Sequence, residues 1–277
     1  MKNIFILSIL ALAFVACEEP YHLHEELQDE RVVIEALLTN REDMQLVKVS
    51  RTSSFYSSGS SPRITNAVVT VTDDLGNVTS YTHNPGGHED STGIYLPPAG
   101  FAGEIGRTYK LVVAHEGVTY EAEDQLLPVT PVDSLTIDLD EEEQEDPEDE
   151  GRFYEVLIFA KEPQDEENFY LFKFYRNDSL ARANDSDVYY SDDKLLAGEI
   201  DGIPMPVYYA QSDVARVEAF SLSRTGYIFY NDLSGLLNND AGGMFGPIPA
   251  TPRTNLSNNA LGFFQVSAVS TADIVVE

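Results

Sequence analysis

Along residues 31–38, Val32, Ile34, Ala36 and Leu38 alternate with Val33, Glu35 and Leu37, the two-residue period of a strand whose one face is deeply buried. MQLVKVSR, residues 44–51, predicts a second strand, and a Ser/Gly/Pro loop, TSSFYSSGSSPR, follows it. AVVTVTDDLGNVTSYT reads as two alternating strands joined by Asp74-Leu75-Gly76-Asn77, residues that tolerate positive φ. GIYLPP predicts a short strand at Tyr95, and YKLVVAHEGVTYEAE a second hairpin turning at Glu116-Gly117. Leu135, Ile137 and Leu139 alternate as an exit strand. Strands at this spacing, with turn signals and no helical period, predict an immunoglobulin-like antiparallel β-sandwich over residues 31–139.

The remainder, residues 152–277, predicts a second β-rich domain. FYEVLIFA and NFYLFKFYR are aromatic-rich strands, and further strands are expected at residues 206–210, 214–222, 262–268 and 272–276. In SLSRTGYIFYNDLSGLLNND, Tyr227, Tyr230, Leu233, Leu236 and Leu237 recur at spacings of three and four, with Ser223 in place to cap a helix over residues 223–238. Gly226 and Gly235 each oppose that helix by about 1 kcal/mol relative to alanine. AGGMFGPIPATPRTN, rich in glycine and proline, is expected to be a loop. Tyr189-Tyr190, Tyr208-Tyr209 and Phe263-Phe264 are neighbours that face opposite sides of a strand. One member of each pair is expected in the core and the other at the surface, which argues against a sugar-stacking platform.

Charge changes the picture more than composition does. The chain carries 47 acids against 17 Lys and Arg, a formal net charge of −30. Such a surface repels phosphate polyanions, so nucleic-acid binding is excluded. Ten of the thirteen residues from Asp138 to Glu150, DLDEEEQEDPEDE, are acids. A self-repelling run of this kind predicts a solvated linker at residues 140–151, and it lacks the D-x-[DN]-x-[DN]-G spacing of a calcium loop.

Catalytic signatures are missing. His24-Glu25, His88-Glu89 and His115-Glu116 each start an H-E-x-x-H pattern, but Gln28, Thr92 and Thr119 stand where the second histidine belongs. His22 and His24, beside Glu25 and Glu26, read as part of a polar tether rather than a metal site. No nucleophile elbow or phosphate-binding loop occurs in the sequence, and a single cysteine excludes C-x-x-C redox chemistry. No catalytic, cofactor-binding or metal-ligating residue is therefore assigned, and the chain is expected not to be an enzyme.

The single cysteine has a place of its own. In MKNIFILSILALAFVACEEP, Lys2 precedes an apolar run over residues 4–16 broken only by Ser8, which reads as a signal peptide spanning residues 1–16. The run falls short of the ~20 apolar residues needed to cross a bilayer. Phe14-Val15-Ala16-Cys17 resembles the lipobox of bacterial lipoproteins. That resemblance implies acylation of Cys17, followed by an acidic tether over residues 17–30. Two or three acyl chains, at roughly 0.8 kcal/mol per buried CH₂, would hold the protein on a membrane almost permanently.

The succession VVIEALLTN, NAVVTVTDDLGN, GIYLPPAG, GRTYKLVVAHEGVTYEAE, FYEVLIFAKEPQDEENFYLFKFYRND and PRTNLSNNALGFFQVSAVS resembles a family of Bacteroidota outer-membrane lipoproteins known only as a domain of unknown function. Its most specific part is Thr254, Asn255 and Leu256 followed by Gly262, Phe263 and Phe264. Members are often encoded beside TonB-dependent receptors. The resemblance thus implies a non-enzymatic accessory partner of such a receptor in nutrient uptake or envelope assembly, without cofactor. A surface adhesion or ligand-binding lipoprotein is the alternative. Glu18 and Glu19, directly after Cys17, resemble an address for the cell-surface side of the outer membrane, the periplasmic side being the other placement. Contact with a receptor is expected through residues 242–253, with Phe245 and Phe264 contributing.

Overall fold

The computed structural model describes residues 30–53, 60–145, 150–161, 167–192, 199–238 and 250–277. The signal peptide, Cys17 and the tether up to residue 29 therefore lie outside the described residues, as do residues 242–249 of the expected contact loop. From Arg31 to Glu277 the chain forms one compact unit.

In chain order the strands are β1 Val32–Thr39, β2 Leu46–Arg51, β3 Val68–Asp73, β4 Val78–His83, β5 Ile94–Leu96, β6 Thr108–His115, β7 Val118–Gln125 and β8 Ser134–Leu139. A short helix α1, Glu141–Glu145, follows. Then come β9 Tyr154–Lys161, β10 Phe169–Arg176, β11 Ser179–Ala181, β12 Tyr189–Asp192, β13 Glu199–Pro204 and β14 Val214–Leu222. Helix α2, Arg224–Leu237, precedes β15 Leu261–Ser267 and β16 Val269–Val275. The protein is mainly β, with one long helix where the sequence predicts it.

Both predicted hairpins form at their predicted turns: β3 pairs with β4 across Gly76, at φ 87°, and β6 pairs with β7 across Glu116 and Gly117, at φ 49° and 80°. They belong to an eight-stranded sheet in the order β15-β1-β2-β5-β4-β3-β6-β7. Seven of these strands come from the first half, and their inward residues, among them Ile34, Leu38, Val49, Leu111 and Val113, are fully buried in one core.

The eighth strand, β15, comes from the end of the chain and runs parallel to β1, with Ile34 opposite Gly262 and Ala36 opposite Phe264. This is the one parallel pair in a sheet expected to be antiparallel. On its far side β15 approaches β7, and a parallel bridge from Leu127 to Ser267 nearly closes the sheet on itself. Residues 152–277 are accordingly not a self-contained second domain, because Phe264, Val266 and Ala268 fill the first core.

The rest of the second half forms a sandwich together with β8, the expected exit strand of the first, which pairs with β9 and not with the eight-stranded sheet. A five-stranded sheet, β11-β10-β14-β16 with β12 also on β10, packs over a three-stranded sheet, β13-β9-β8. Val156, Ile158, Phe174, Tyr209 and Val217 are buried between them. The outer face of the five-stranded sheet carries a third cluster, Phe169, Leu171, Phe220, Leu222 and Val269, covered by Tyr227 and Tyr230 of α2 and by Leu37 and Met44 of the first half. At Ala268, fully buried, the backbone passes from β15 in one sheet to β16 in the other, so a single segment is shared by both.

Two expectations need correction. Residues 206–210 form only a bridge from Tyr209 to Tyr154, not a strand, since Pro206 has no N–H to donate. The expected acidic linker holds a turn and a half of helix: the Asp140 carboxylate accepts the N–H groups of Glu142 (2.9 Å) and Glu143 (3.0 Å) at the start of α1. Acids in the first turn of a helix meet the positive end of its dipole, which offsets part of their mutual repulsion.

Candidate functional site

Helix α2 starts where its sequence caps it. Ser223 Oγ accepts the Gly226 N–H at 3.1 Å. Of the apolar residues at three- and four-residue spacing, Tyr227 and Tyr230 pack on the sheet: Tyr227 lies on Phe169 (centroids 4.8 Å apart) and edge-on to Tyr190 (5.4 Å). Phe229 stacks on Phe263 at 4.9 Å. The expectation that one of Phe263 and Phe264 is a surface residue fails for that reason, since α2 covers Phe263 and the first core covers Phe264. Phe264, 1 % exposed, cannot contact a partner.

Polar groups between α2 and the sheets form a directed chain. The Tyr230 hydroxyl donates to Gln265 Oε1 (2.6 Å), Gln265 Nε2 donates to Ser267 Oγ (2.7 Å), and that hydroxyl donates to the Ser221 carbonyl (2.5 Å). Ser221 Oγ in turn donates to the Leu127 carbonyl at 2.7 Å. Burial holds the Tyr230 phenol above the usual range, so throughout physiological pH it is a donor.

The motif that carries the family resemblance proves to be the clasp that closes the first sheet. Asn255 reads the edge of β15 as a strand would: its Nδ2 donates to the Phe264 carbonyl (2.8 Å) and its Oδ1 accepts the Phe264 N–H (3.0 Å). Thr254 Oγ1 donates to the Gly262 carbonyl and accepts the Leu256 N–H. Ser257 and Asn258 tie the same segment to β7, through the Glu121 N–H and the Thr119 carbonyl. Gly262, at φ 95°, lies so close to the backbone of Ile34 that a Cβ there would overlap its carbonyl oxygen. Glycine is thus imposed both by backbone conformation and by space.

Asp124 is the most perturbed carboxylate of this region and belongs to the same seam. It is 6 % exposed, and burial pushes it up to about 6 against lowering by hydrogen bonds from Ser223 and from the N–H groups of Val266 and Gln125. Its Oδ2 accepts the Val266 N–H at 3.0 Å. Shifted carboxylates mark functional sites often enough to be examined. Here the oxygens face backbone and the α2 cap, which makes Asp124 a bolt between β7, β15 and α2. Sequence patterning carried the signal for it: in VTYEAEDQ, Asp124 shares the inward register of Tyr120 and Ala122.

A second buried charge, Glu218 on β14, accepts the Tyr175 hydroxyl at 2.9 Å and lies opposite Lys173 on β10. The Lys173 ammonium sits 4.6 Å from the Phe220 ring centroid, and burial lowers its pKa. His115, also buried, has Nε2 3.1 Å from the Arg51 guanidinium. Among the described residues no group of three or more His, Cys, Asp or Glu is placed to hold a metal ion. No described helix is long and apolar enough to cross a membrane.

The far end of α2 differs from all these satisfied contacts. Leu236 and Leu237 are 36 % and 48 % exposed in the last turn. Below them Asp232 accepts from the Arg253 N–H (3.0 Å) and guanidinium (2.7 and 2.8 Å), fixing the chain where it returns after residue 249. This pairing holds the Asp232 carboxyl below its usual range. The described residues on both sides of 239–249, Asn238 and Arg253, are thus both held by α2, which ends in exposed leucines.

No curated protein matches the chain. A family model does match it over residues 18–273, nearly its whole length, and the chain belongs to the family so described: Domain of unknown function (DUF4249).

Proposed function

We propose that this protein is a lipid-anchored, non-enzymatic accessory partner of a TonB-dependent outer-membrane receptor, attached through Cys17 and docking by the exposed end of α2. The observation that carries this reading is the pair Leu236–Leu237, apolar side chains on a chain of net charge −30, at the tip of a helix bolted to two sheets. A partner that covers them must bring apolar surface of its own. Apolar side chains that become fully desolvated at the centre of an interface add to its free energy, while charged surroundings set orientation. A stable interface buries about 800 Å² on each side, so the residues flanking α2 contribute as well. The acylated Cys17 supplies retention at the membrane and the rigid body supplies the docking face.

The test is a photo-crosslinking residue placed at Leu237 in cells that make the full chain. On this reading a covalent adduct with an outer-membrane barrel protein forms, and substituting Leu236→Ser together with Leu237→Ser abolishes its co-purification. Recovery of uncrosslinked monomer alone from native membranes refutes the docking role.

A further inference from the structure

At one end of the eight-stranded sheet the strand beside β4 stops short. β5 has three residues and reaches only Thr82 and His83 of β4. Pro97 and Pro98 end it, since neither has an N–H to donate to a ladder. From Val78 to Tyr81, β4 is therefore paired with β3 on one side and with no described strand on the other. The Asp73 N–H donates to the Asn77 carbonyl, and from that point the alternation of an antiparallel ladder turns the N–H and C=O groups of Val78 and Ser80, both exposed residues, to the open side. We propose that this open edge is a docking site for an extended segment of a partner protein, which pairs with Val78 and Ser80 and seats a lysine side chain in the cleft next to them.

The cleft holds about 140 Å³, with Val71, Phe101 and Ala102 as apolar walls and Asp73, Thr79 and Glu104 as polar ones. Its two rims are tied together. The Asp74 N–H donates to the Thr108 carbonyl (3.0 Å), the Glu104 N–H donates to the Tyr109 hydroxyl (2.8 Å), and Arg107 bridges Asp74 (3.2 Å) and Glu104 (3.4 Å). Asp73 Oδ1 accepts the N–H groups of Leu75 (3.0 Å) and Asn77 (2.8 Å), and its Oδ2 accepts from the Asn77 amide (2.8 Å). The bonds from Asn77 hold this carboxyl below its usual range, so it is charged throughout physiological pH. In the layer beneath, Tyr81 shares the inward face of β4 with Thr79 and meets Phe101 edge-on, with centroids 6.2 Å apart. Its hydroxyl is buried and has no hydrogen-bond partner among the described residues. This end of the first core is thus held in shape, yet keeps polar groups that the chain does not satisfy.

A segment that adds to a sheet edge gains affinity from main-chain hydrogen bonds and specificity from the pocket that takes one of its side chains. A cavity of about 150 Å³ admits a group the size of benzene, and the four-carbon stem of lysine is of that order. Val71, Phe101 and Ala102 suit the stem, and Asp73 with Glu104 suits the ammonium. The net charge of −30 draws a basic segment and repels an acidic one. Leu75 and Ile105, exposed on the two turns that carry the rims, suit apolar residues on either side of the lysine. Nothing at this edge depends on acylation of Cys17 or on docking by α2.

The experiment is isothermal titration of the purified full chain with three probes: an acetylated and amidated peptide of sequence Thr-Val-Lys-Val-Thr, the same peptide with norleucine in place of lysine, and n-butylammonium chloride. The proteins are the wild type, S80P and E104Q, each with its thermal unfolding measured alongside. Proline at position 80 removes an N–H that faces the open side and spares the ladder with β3. The expected result is millimolar or tighter binding of the lysine peptide, weakened about ten-fold by norleucine and about three-fold by E104Q. S80P should reduce it to the level of n-butylammonium. The norleucine peptide and E104Q keep the test decisive even where S80P lowers the unfolding midpoint. No heat from the lysine peptide, equal affinity for the two peptides, or n-butylammonium binding as tightly as the lysine peptide overturns the proposal. A concentration-dependent dimer that S80P abolishes gives the edge to a second copy of the chain and overturns it as well.

Discussion

Asp124 gives the seam between β7 and β15 a pH dependence whose sign is fixed by its surroundings. The carboxyl moves from 3.8 to about 6 on folding because burial penalises its charge more than its hydrogen bonds favour it. A folded pKa above the unfolded one means that the native state binds the proton more tightly. The contribution to stability is then complete below pH 4 and is lost as pH rises through about 6. Two units correspond to about 3 kcal/mol. Asp124→Asn keeps an oxygen to accept the Val266 N–H and cannot ionise, so it isolates this contribution from that of every other acid. Urea unfolding of both proteins at pH 4, 5, 6 and 7 is the assay. The wild type should lose about 2 kcal/mol relative to the variant across that range, most of it between pH 4 and 6. A difference that stays constant within about 0.5 kcal/mol, or that favours the wild type as pH rises, would refute the reasoning.

Other substitutions probe the clasp and the anchor. Gly262→Ala forces a Cβ into the Ile34 carbonyl at a positive φ, and should lower stability by more than about 2 kcal/mol; a midpoint unchanged in urea would contradict the close approach. Asn255→Ala removes both hydrogen bonds to the Phe264 backbone, with an expected loss of about 1–3 kcal/mol and faster hydrogen exchange at the Phe264 amide. Cys17→Ser should shift the protein from the membrane to the soluble fraction with its circular dichroism unchanged, and retention in the membrane would defeat the acylation reading.

Local pattern made part of this architecture legible. The two-residue period placed β1, β3, β4, β6, β7 and β14, the turn residues placed both hairpins, and Ser223 with its three- and four-residue spacing placed α2. Each of those signals lies within a few residues of the element that it specifies. β13, EIDGIP, escaped because glycine and proline mask its period and its register shifts between Asp201 and Ile203. The parallel pairing of β15 with β1 joins residues more than two hundred positions apart, and one sequence holds no local trace of it. The clasp residues were singled out through a family pattern, yet their role was invisible, since Asn255 acts on the backbone of Phe264 rather than on any side chain.

The crossing of one terminal segment into the opening sheet also sets the order in which the protein can be completed. Arg31 bonds Asn259 across 228 positions, and β1 shows an unsatisfied edge until β15 arrives. A chain that is made amino end first therefore presents Val33, Leu37 and their backbone groups as an open edge for nearly the whole of its synthesis. Closing so long a loop costs only slowly more with length, but contacts of this separation are formed late and retard folding. A carboxyl-terminal truncation before residue 261 strips Phe264 and Val266 from the first core, so damage at the end of the chain unfolds its beginning. The half that is made first is the last to be finished.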